Sequence, residues 1–156
     1  MLCRTFLALR QHPTRAALVG NSLLSPEDLL RLLLQDLGAV AKDEVLQGRL
    51  AGATRTELQQ QLEEFLVRLR STQNGAVLII DEAHRLPSAT VDQIVRLTTL
   101  DANRDRVLQV VLAGQPATPG SGKLPRALDE RLSTRARLLP LERDECERYV
   151  HHRLAI

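Results

Sequence analysis

The stretch VLIIDEAHR, residues 77–85, decides the fold. Residues 76–80 are five consecutive apolar residues, and two adjacent carboxylates, Asp81 and Glu82, follow them directly. An uninterrupted apolar run of this length is typical of a strand that is buried on both faces in a parallel sheet. Open parallel sheets bind ligands at the carboxyl ends of their strands. The stretch therefore predicts a buried parallel strand that ends at a ligand site.

The two carboxylates are suited to nucleotide hydrolysis. An aspartate at a strand end can hold Mg²⁺, directly or through water, against nucleotide phosphates. A neighbouring glutamate can polarise the water that attacks the γ-phosphate. This arrangement is the Walker B motif, with Asp81 on the Mg²⁺ side and Glu82 as the base. The alternative interpretation is the acidic start of a helix, because aspartate and glutamate stabilise helix N-termini.

Strands and helices alternate along the rest of the chain, which predicts an α/β fold with a mostly parallel sheet. The clearest helix has Ser25 as its N-cap and Pro26 at its first position, and it ends at Gly38. Residues 39–53 are predicted as a loop. The other predicted strands are residues 16–20, 107–113 and 137–141, and the other predicted helices are residues 2–10, 56–70, 87–100, 124–134 and 142–154.

Composition excludes several classes of protein. The chain has 156 residues, a formal charge of +2 and 2% aromatic residues. It carries no strong nucleic-acid signal, because such binders show a marked basic excess and aromatic stacking platforms. No apolar stretch approaches the ~18 residues of a membrane span. The two cysteines form no disulfide framework, and the cysteine and histidine spacings fit no zinc template, so a cytoplasmic protein is expected.

Several segments resemble AAA+ ATPases of the general secretion pathway protein A type. They are IIDEAHRL, RLTTLDANRDRVLQVVLAGQPAT, ALDERLSTRARLLPL and ECERYVHHRL, in that order. MLCRTFLALR and NSLLSPEDLLRLLLQDLG are similar to earlier segments of the same family, so the resemblance covers nearly the whole chain. Transposition and origin-recognition-like AAA+ ATPases are more distant relatives. The resemblance implies a three-layer P-loop NTPase core with a parallel sheet.

The resemblance also implies roles for individual residues. Asp81 would bind Mg²⁺, and Glu82 would be the catalytic base beside the bound ATP. Gln115 matches the position of the sensor 1 residue that follows the fourth core strand. Arg131 and Arg135 match positions where an arginine finger would reach the γ-phosphate of a neighbouring subunit. Both arginines can equally be surface side chains that lie along a helix.

The phosphate-binding loop GxxxxGK[ST], which the family requires, is absent from this sequence. Lys42 has no glycine loop around it. Lys123 imitates the motif, but Ala117 replaces its first glycine and Leu124 replaces its serine or threonine. This segment also follows Walker B instead of preceding it, so a surface loop is the better interpretation.

The resemblance therefore predicts a truncated chain, lacking the first strand and P-loop before Leu2 and the lid after its first helix. Residues 1–141 would be a partial AAA+ core, and residues 142–156 the start of the helical lid. The missing strand would lie between the strands at 107–113 and 137–141. One departure from the family lies beside Walker B, where His84 replaces a more common glutamine.

The functional expectation is a fragment of an AAA+ ATPase that is inactive alone. Its intact parent would be a homo-oligomer at the cytoplasmic face of the inner membrane or elsewhere in the cytoplasm. The parent would hydrolyse ATP with Mg²⁺ to drive assembly or remodelling with secretion-machinery or DNA-transposition partners. The alternative is a non-catalytic AAA+-like interaction module. A DEAH-type helicase is disfavoured, because Ser88-Ala89-Thr90 follows so closely that it is better explained as a helix cap.

Overall fold

A computed structural model describes residues 14–72, 74–100, 107–115 and 124–154 of the chain. The helix predicted at residues 2–10 lies outside these ranges, as does Lys123.

The described residues form three strands and six helices in an α/β arrangement. The strands are β1 (Arg15–Val19), β2 (Ala76–Ile80) and β3 (Leu108–Leu112), and a short 3₁₀ turn at Ala83–Arg85 follows β2. The helices are α1 (Pro26–Asp36), α2 (Lys42–Leu46), α3 (Arg55–Ser71), α4 (Ser88–Leu100), α5 (Arg126–Asp129) and α6 (Arg143–Leu154).

The three strands form a parallel sheet in the order β1-β2-β3. Leu78 at the centre of β2 is in register with Ala17 on one side and Val110 on the other. All five residues of β2 are buried, as their uninterrupted apolar run predicts. The α/β fold with a parallel sheet is therefore confirmed.

Local signals in the sequence explain where α1 begins and ends. The Ser25 hydroxyl accepts a hydrogen bond from the backbone N–H of Asp28 at 3.1 Å, and Pro26 occupies the first turn. Gly38 follows the helix with a φ of +71°, a left-handed conformation that favours glycine. The leucines on the inner face of α1 are buried in the core, as are the apolar residues on the inner face of α3: Leu29, Leu30, Leu33, Leu34, Leu58, Leu62, Phe65, Leu66 and Leu69.

The helices pack around the sheet and against one another. Helix α1 packs on β1 and on α3, while α4 contacts α1, α5 and β3. These contacts make one hydrophobic core from α1, α3, the sheet and the inner face of α4. Among the described residues, no helix has the length and apolar character needed to cross a membrane.

The strand predicted at residues 137–141 is wrong. These residues have no regular structure, and Leu138 and Leu139 are 76% and 75% exposed. Pro140 has no N–H to donate to a sheet ladder. An apolar segment becomes a strand only when a neighbouring strand pairs with it, and β3 has no second neighbour in the described sheet.

Two further predictions differ from the structure in extent. The segment 39–53, predicted as a loop, contains the short helix α2, whose first turn carries Asp43 and Glu44. The helix predicted at residues 124–134 is limited to the four residues of α5, because only Leu128 of this helix is buried. Helix α6 forms as predicted but has no buried residue.

Candidate functional site

Asp81 lies where the ends of all three strands meet. Its backbone N–H donates to the carbonyl of Val19 at the end of β1, at 3.0 Å. Two residues later, the N–H of Ala83 donates to the carbonyl of Ala113 just beyond β3, at 2.8 Å. The turn after β2 is thus fixed between its two neighbouring strands. The carboxyl edge of the sheet is the location that the sequence predicts for the site.

Glu82 has a left-handed backbone conformation. Its φ is 52° and its ψ is 40°, and it is the sole non-glycine residue with positive φ in the described part of the chain. This conformation costs about 1 kcal/mol for a residue that has a Cβ. Hydrogen bonds hold it in place: the Glu82 N–H donates to Oδ1 of Asp81 at 3.0 Å, and the Arg85 N–H donates to the Glu82 carbonyl at 2.9 Å. Strain that is maintained in this way is characteristic of functional sites.

The carboxylate of Asp81 has the donor chemistry that Mg²⁺ requires. Oδ1 accepts the hydrogen bond from the Glu82 backbone, and no hydrogen bond to Oδ2 occurs among the described residues. Mg²⁺ is usually held by one or two carboxylates together with water and substrate phosphates, and not by a closed protein cage. Within the described ranges, no group of three or more His, Cys, Asp or Glu side chains converges on a metal position. Asp81 therefore fits a Mg²⁺ that is shared with phosphate oxygens.

His84 is the neighbour of Glu82 that the sequence did not identify as a partner. Its Nε2 lies 3.4 Å from Oε2 of Glu82, and its side chain is only 12% exposed, against 40% for Glu82. The 3₁₀ turn brings these two side chains together. The available signal was a histidine two residues after the glutamate, in the short segment between the predicted strand and the helix predicted at 87–100.

Gln115 lies at the same edge of the sheet as Asp81. It follows β3 by three residues and is exposed. Because β2 and β3 are parallel and in register, the segments that follow them are adjacent, as the bond between Ala83 and Ala113 demonstrates. The structure therefore brings Asp81, Glu82 and the Gln115 segment to one edge.

The two arginines lie elsewhere, on the exposed segment that follows α5. Arg135 forms an ion pair with Asp129, with Nη2 and Oδ2 separated by 3.1 Å, and it also donates to the Asp129 carbonyl at 3.0 Å. Arg131 is exposed. Neither side chain forms a hydrogen bond with Asp81, Glu82 or Gln115 in the described structure.

Comparison with known proteins gives one family and one relative. A family model described as "AAA domain" matches residues 1–120. General secretion pathway protein A from Aeromonas hydrophila is 36% identical over 83 residues, which cover 52% of this chain and 15% of that protein. The matched stretch is thus a small part of that relative's length. No solved structure matches the chain.

Proposed function

Because this chain belongs to the AAA domain family, we propose that it carries the hydrolytic half of an AAA+ ATPase site, centred on Asp81 and Glu82. The observation that carries the proposal is the position of these two carboxylates at the carboxyl end of β2, in a turn that is hydrogen-bonded to both neighbouring strands. A site held on three strands is rigid, and rigid placement is what hydrolytic carboxylates require.

Asp81 holds Mg²⁺ in this proposal, through the carboxylate oxygen that the Glu82 backbone leaves unoccupied. Bound Mg²⁺ supplies neutralisation of the charge on the phosphates. Asp81 also fixes the turn, because its other oxygen accepts the Glu82 N–H at 3.0 Å. The residue thus orients its neighbour as well as the metal.

Glu82 is the proposed base that polarises the attacking water. Its side chain is 40% exposed at the edge of the sheet and is accessible to water and substrate. The left-handed backbone directs the glutamate differently from an ordinary helical or extended residue, and the hydrogen bonds around it maintain that direction. Gln115 is the proposed sensor of the γ-phosphate, because it lies on the adjacent segment at the same edge.

Arg131 and Arg135 are proposed to act in an oligomer. Both are exposed and form no hydrogen bond with Asp81, Glu82 or Gln115 in the described structure. This placement fits a guanidinium that reaches the γ-phosphate of a neighbouring subunit. Arg135 is paired with the partly exposed Asp129, and such surface pairs contribute little, about 0–1 kcal/mol, so the pair can exchange.

The proposed activity is ATP hydrolysis by a homo-oligomer that drives assembly or remodelling. The match to general secretion pathway protein A supports a role with the secretion machinery. The cytoplasmic face of the inner membrane is the location that we propose for it. DNA transposition is the other setting that the sequence resemblance admits. Hydrolysis also requires a phosphate-binding loop, and the 156 residues of this sequence contain no GxxxxGK[ST].

A non-catalytic interaction module is the second candidate function. It is favoured by the exposure of every described residue from 134 to 154. This segment includes six exposed large apolar side chains: Leu138, Leu139, Leu141, Tyr149, Val150 and Leu154. A concentration of large exposed apolar side chains is typical of protein–protein contacts.

Titration of the purified chain with Mg-ATP, followed by calorimetry, tests the two candidates against each other. The hydrolytic proposal predicts weak, Mg²⁺-dependent binding in the millimolar range that Asp81→Asn weakens about tenfold, equivalent to about 1.4 kcal/mol. Asp36→Asn is the matched control. Asp36 is an exposed carboxylate at the end of α1, far from the candidate site. Its neighbour Leu37 accepts a hydrogen bond from Arg15, which lies at the start of β1, whereas Asp81 lies at the ends of the strands. No Mg-ATP affinity at millimolar concentrations would favour the interaction module.

A further inference from the structure

We infer that His84 is a positioning residue that directs the Glu82 carboxylate and couples it to the segment 113–115 beyond β3. The inference rests on the proposed role of Glu82 as the base, and it adds a residue to that site. His84 would touch neither phosphate nor water. It would act through the carboxylate beside it.

The first observation is the contact between the two side chains. Nε2 of His84 lies 3.4 Å from Oε2 of Glu82. This distance is longer than an ideal N–H···O hydrogen bond of about 2.9 Å. A donor on Nε2 would hold the carboxylate, which otherwise has a flexible side chain of three torsions at the surface.

The second observation is the other ring nitrogen of His84. Nδ1 is buried and has no hydrogen-bond partner in the described structure. A buried polar atom without a partner costs about 1–3 kcal/mol, so such atoms require an explanation. An Nδ1 without a proton, with the proton on Nε2, is the tautomer in which the ring donates to Glu82.

The third observation is the close approach of Gly114. A Cβ built on Gly114 would lie 3.2 Å from Nδ1 of His84, tighter than most real Cβ contacts. The same Cβ would lie 3.6 Å from the Ala83 backbone nitrogen, and Ala83 itself donates to Ala113. The His84 ring therefore lies between Glu82 and the backbone that leads to Gln115. A displacement of that backbone must move the ring, because the ring is packed against it.

The test is a spectroscopic measurement on the full chain with isotope-labelled histidine. Long-range proton–nitrogen correlation spectra at mildly alkaline pH report which ring nitrogen carries the proton. The His84 signals are assigned by their loss in His84→Gln. We expect a single Nε2–H tautomer in the unmodified chain, and a shift of both ring nitrogens toward a mixture of tautomers in Glu82→Gln. Glu64→Gln, on the exposed face of α3, is the matched control and should leave the ring signals unchanged.

A second measurement separates positioning from simple packing. The backbone amide signal of Glu82 should be retained in His84→Gln, which keeps an N–H donor, and shifted in His84→Leu, which fills a similar space without one. Gly114→Ala leaves the residues Glu82 and His84 themselves unaltered, and it should still shift the His84 ring signals. Ring signals that are identical in the unmodified chain and in Glu82→Gln would overturn the inference, as would equal Glu82 signals in the two His84 variants.

These results do not depend on nucleotide. If the chain binds no Mg-ATP but its His84 ring signals change in Glu82→Gln, the proposed function is wrong and the coupling between His84 and Glu82 stands. If the chain binds Mg-ATP through Asp81 but its His84 ring signals do not change in Glu82→Gln, the proposed function stands and the coupling is wrong.

Discussion

The backbone N–H of Asp81 donates to the carbonyl of Val19 at 3.0 Å, which joins the ends of β1 and β2 at the candidate site. On the other side, the carbonyl of Ala113 accepts from Ala83 at 2.8 Å. Both bonds connect residues that are far apart in the chain, so the geometry of the two carboxylates depends on the whole sheet. Mutations that loosen the sheet are therefore expected to affect the site as well as stability.

Replacing Glu82 by glycine should stabilise the protein relative to alanine. The left-handed backbone at φ 52° costs about 1 kcal/mol for any residue with a Cβ, and glycine avoids that cost. Glu82→Gly is thus expected to have a free energy of unfolding about 1 kcal/mol higher than Glu82→Ala, measured by chemical denaturation. Both variants lack the carboxylate, so the comparison isolates the backbone. A less stable glycine variant would show that the conformation is not strained.

Gly38→Ala should destabilise the protein by about 1–2 kcal/mol. Gly38 has a φ of +71°, and a Cβ there would lie 2.6 Å from Nη1 of Arg15, which donates to the Leu37 carbonyl at 3.0 Å. Gly52→Ala is the control, because its φ is not positive and no atom lies within 4 Å of the added Cβ. In an Arg15→Ala background the clash disappears and only the backbone cost is left, so Gly38→Ala should be less harmful there. Equal losses in both backgrounds would argue against the clash.

Arg55→Ala should lower the free energy of unfolding by about 1–3 kcal/mol, because it leaves the buried side chain of Gln93 without its hydrogen-bond partner. Arg55 donates from Nε and Nη2 to Oε1 of Gln93, at 2.9 and 2.6 Å. Gln93 lies on α4 and is fully buried. Removing the guanidinium leaves that oxygen without a partner. The double variant Arg55→Ala/Gln93→Leu should recover part of the loss, because leucine needs no hydrogen bond. Thermal denaturation of the four chains in this cycle measures the recovery, and a strictly additive result would exclude the coupling.

Ser25→Ala should cost about 1 kcal/mol at neutral pH and less in acid. The Ser25 hydroxyl caps α1 by accepting from the Asp28 N–H, and it also donates to Oδ2 of Asp28 at 2.7 Å. This second hydrogen bond is the main cause that holds the pKa of the Asp28 carboxyl below its ordinary value. A carboxyl with a lowered pKa in the folded state stabilises the protein above the unfolded-state pKa of about 3.9, and that contribution is lost as the pH falls through the folded pKa. The difference between the two chains should therefore narrow below about pH 4. A constant difference across this range would assign the whole effect to the cap.

The sequence predicted β2 to the residue and the limits of α1 and α3 to within a residue or two, for local reasons. Five consecutive apolar residues determine β2, and the N-cap at Ser25 marks the start of α1. The N-cap of α3 at Thr54 is a finding of the structure. The strand predicted at 137–141 failed because a strand needs a hydrogen-bonded neighbour, and Pro140 weakens the pairing further. Local composition contains no information about whether that neighbour is present.

The candidate site shows the same division. The sequence by itself determined that Asp81 and Glu82 follow a buried parallel strand, because apolar runs and charged residues are read directly from the chain. Only the tertiary structure decided that Glu82 is left-handed and that His84 lies 3.4 Å from its carboxylate. Those features depend on hydrogen bonds to the carbonyls of Val19 and Ala113, which distant segments supply only after the sheet has formed. A glutamate gives no local signal for a left-handed turn, so the strain becomes visible only where the surrounding strands impose it.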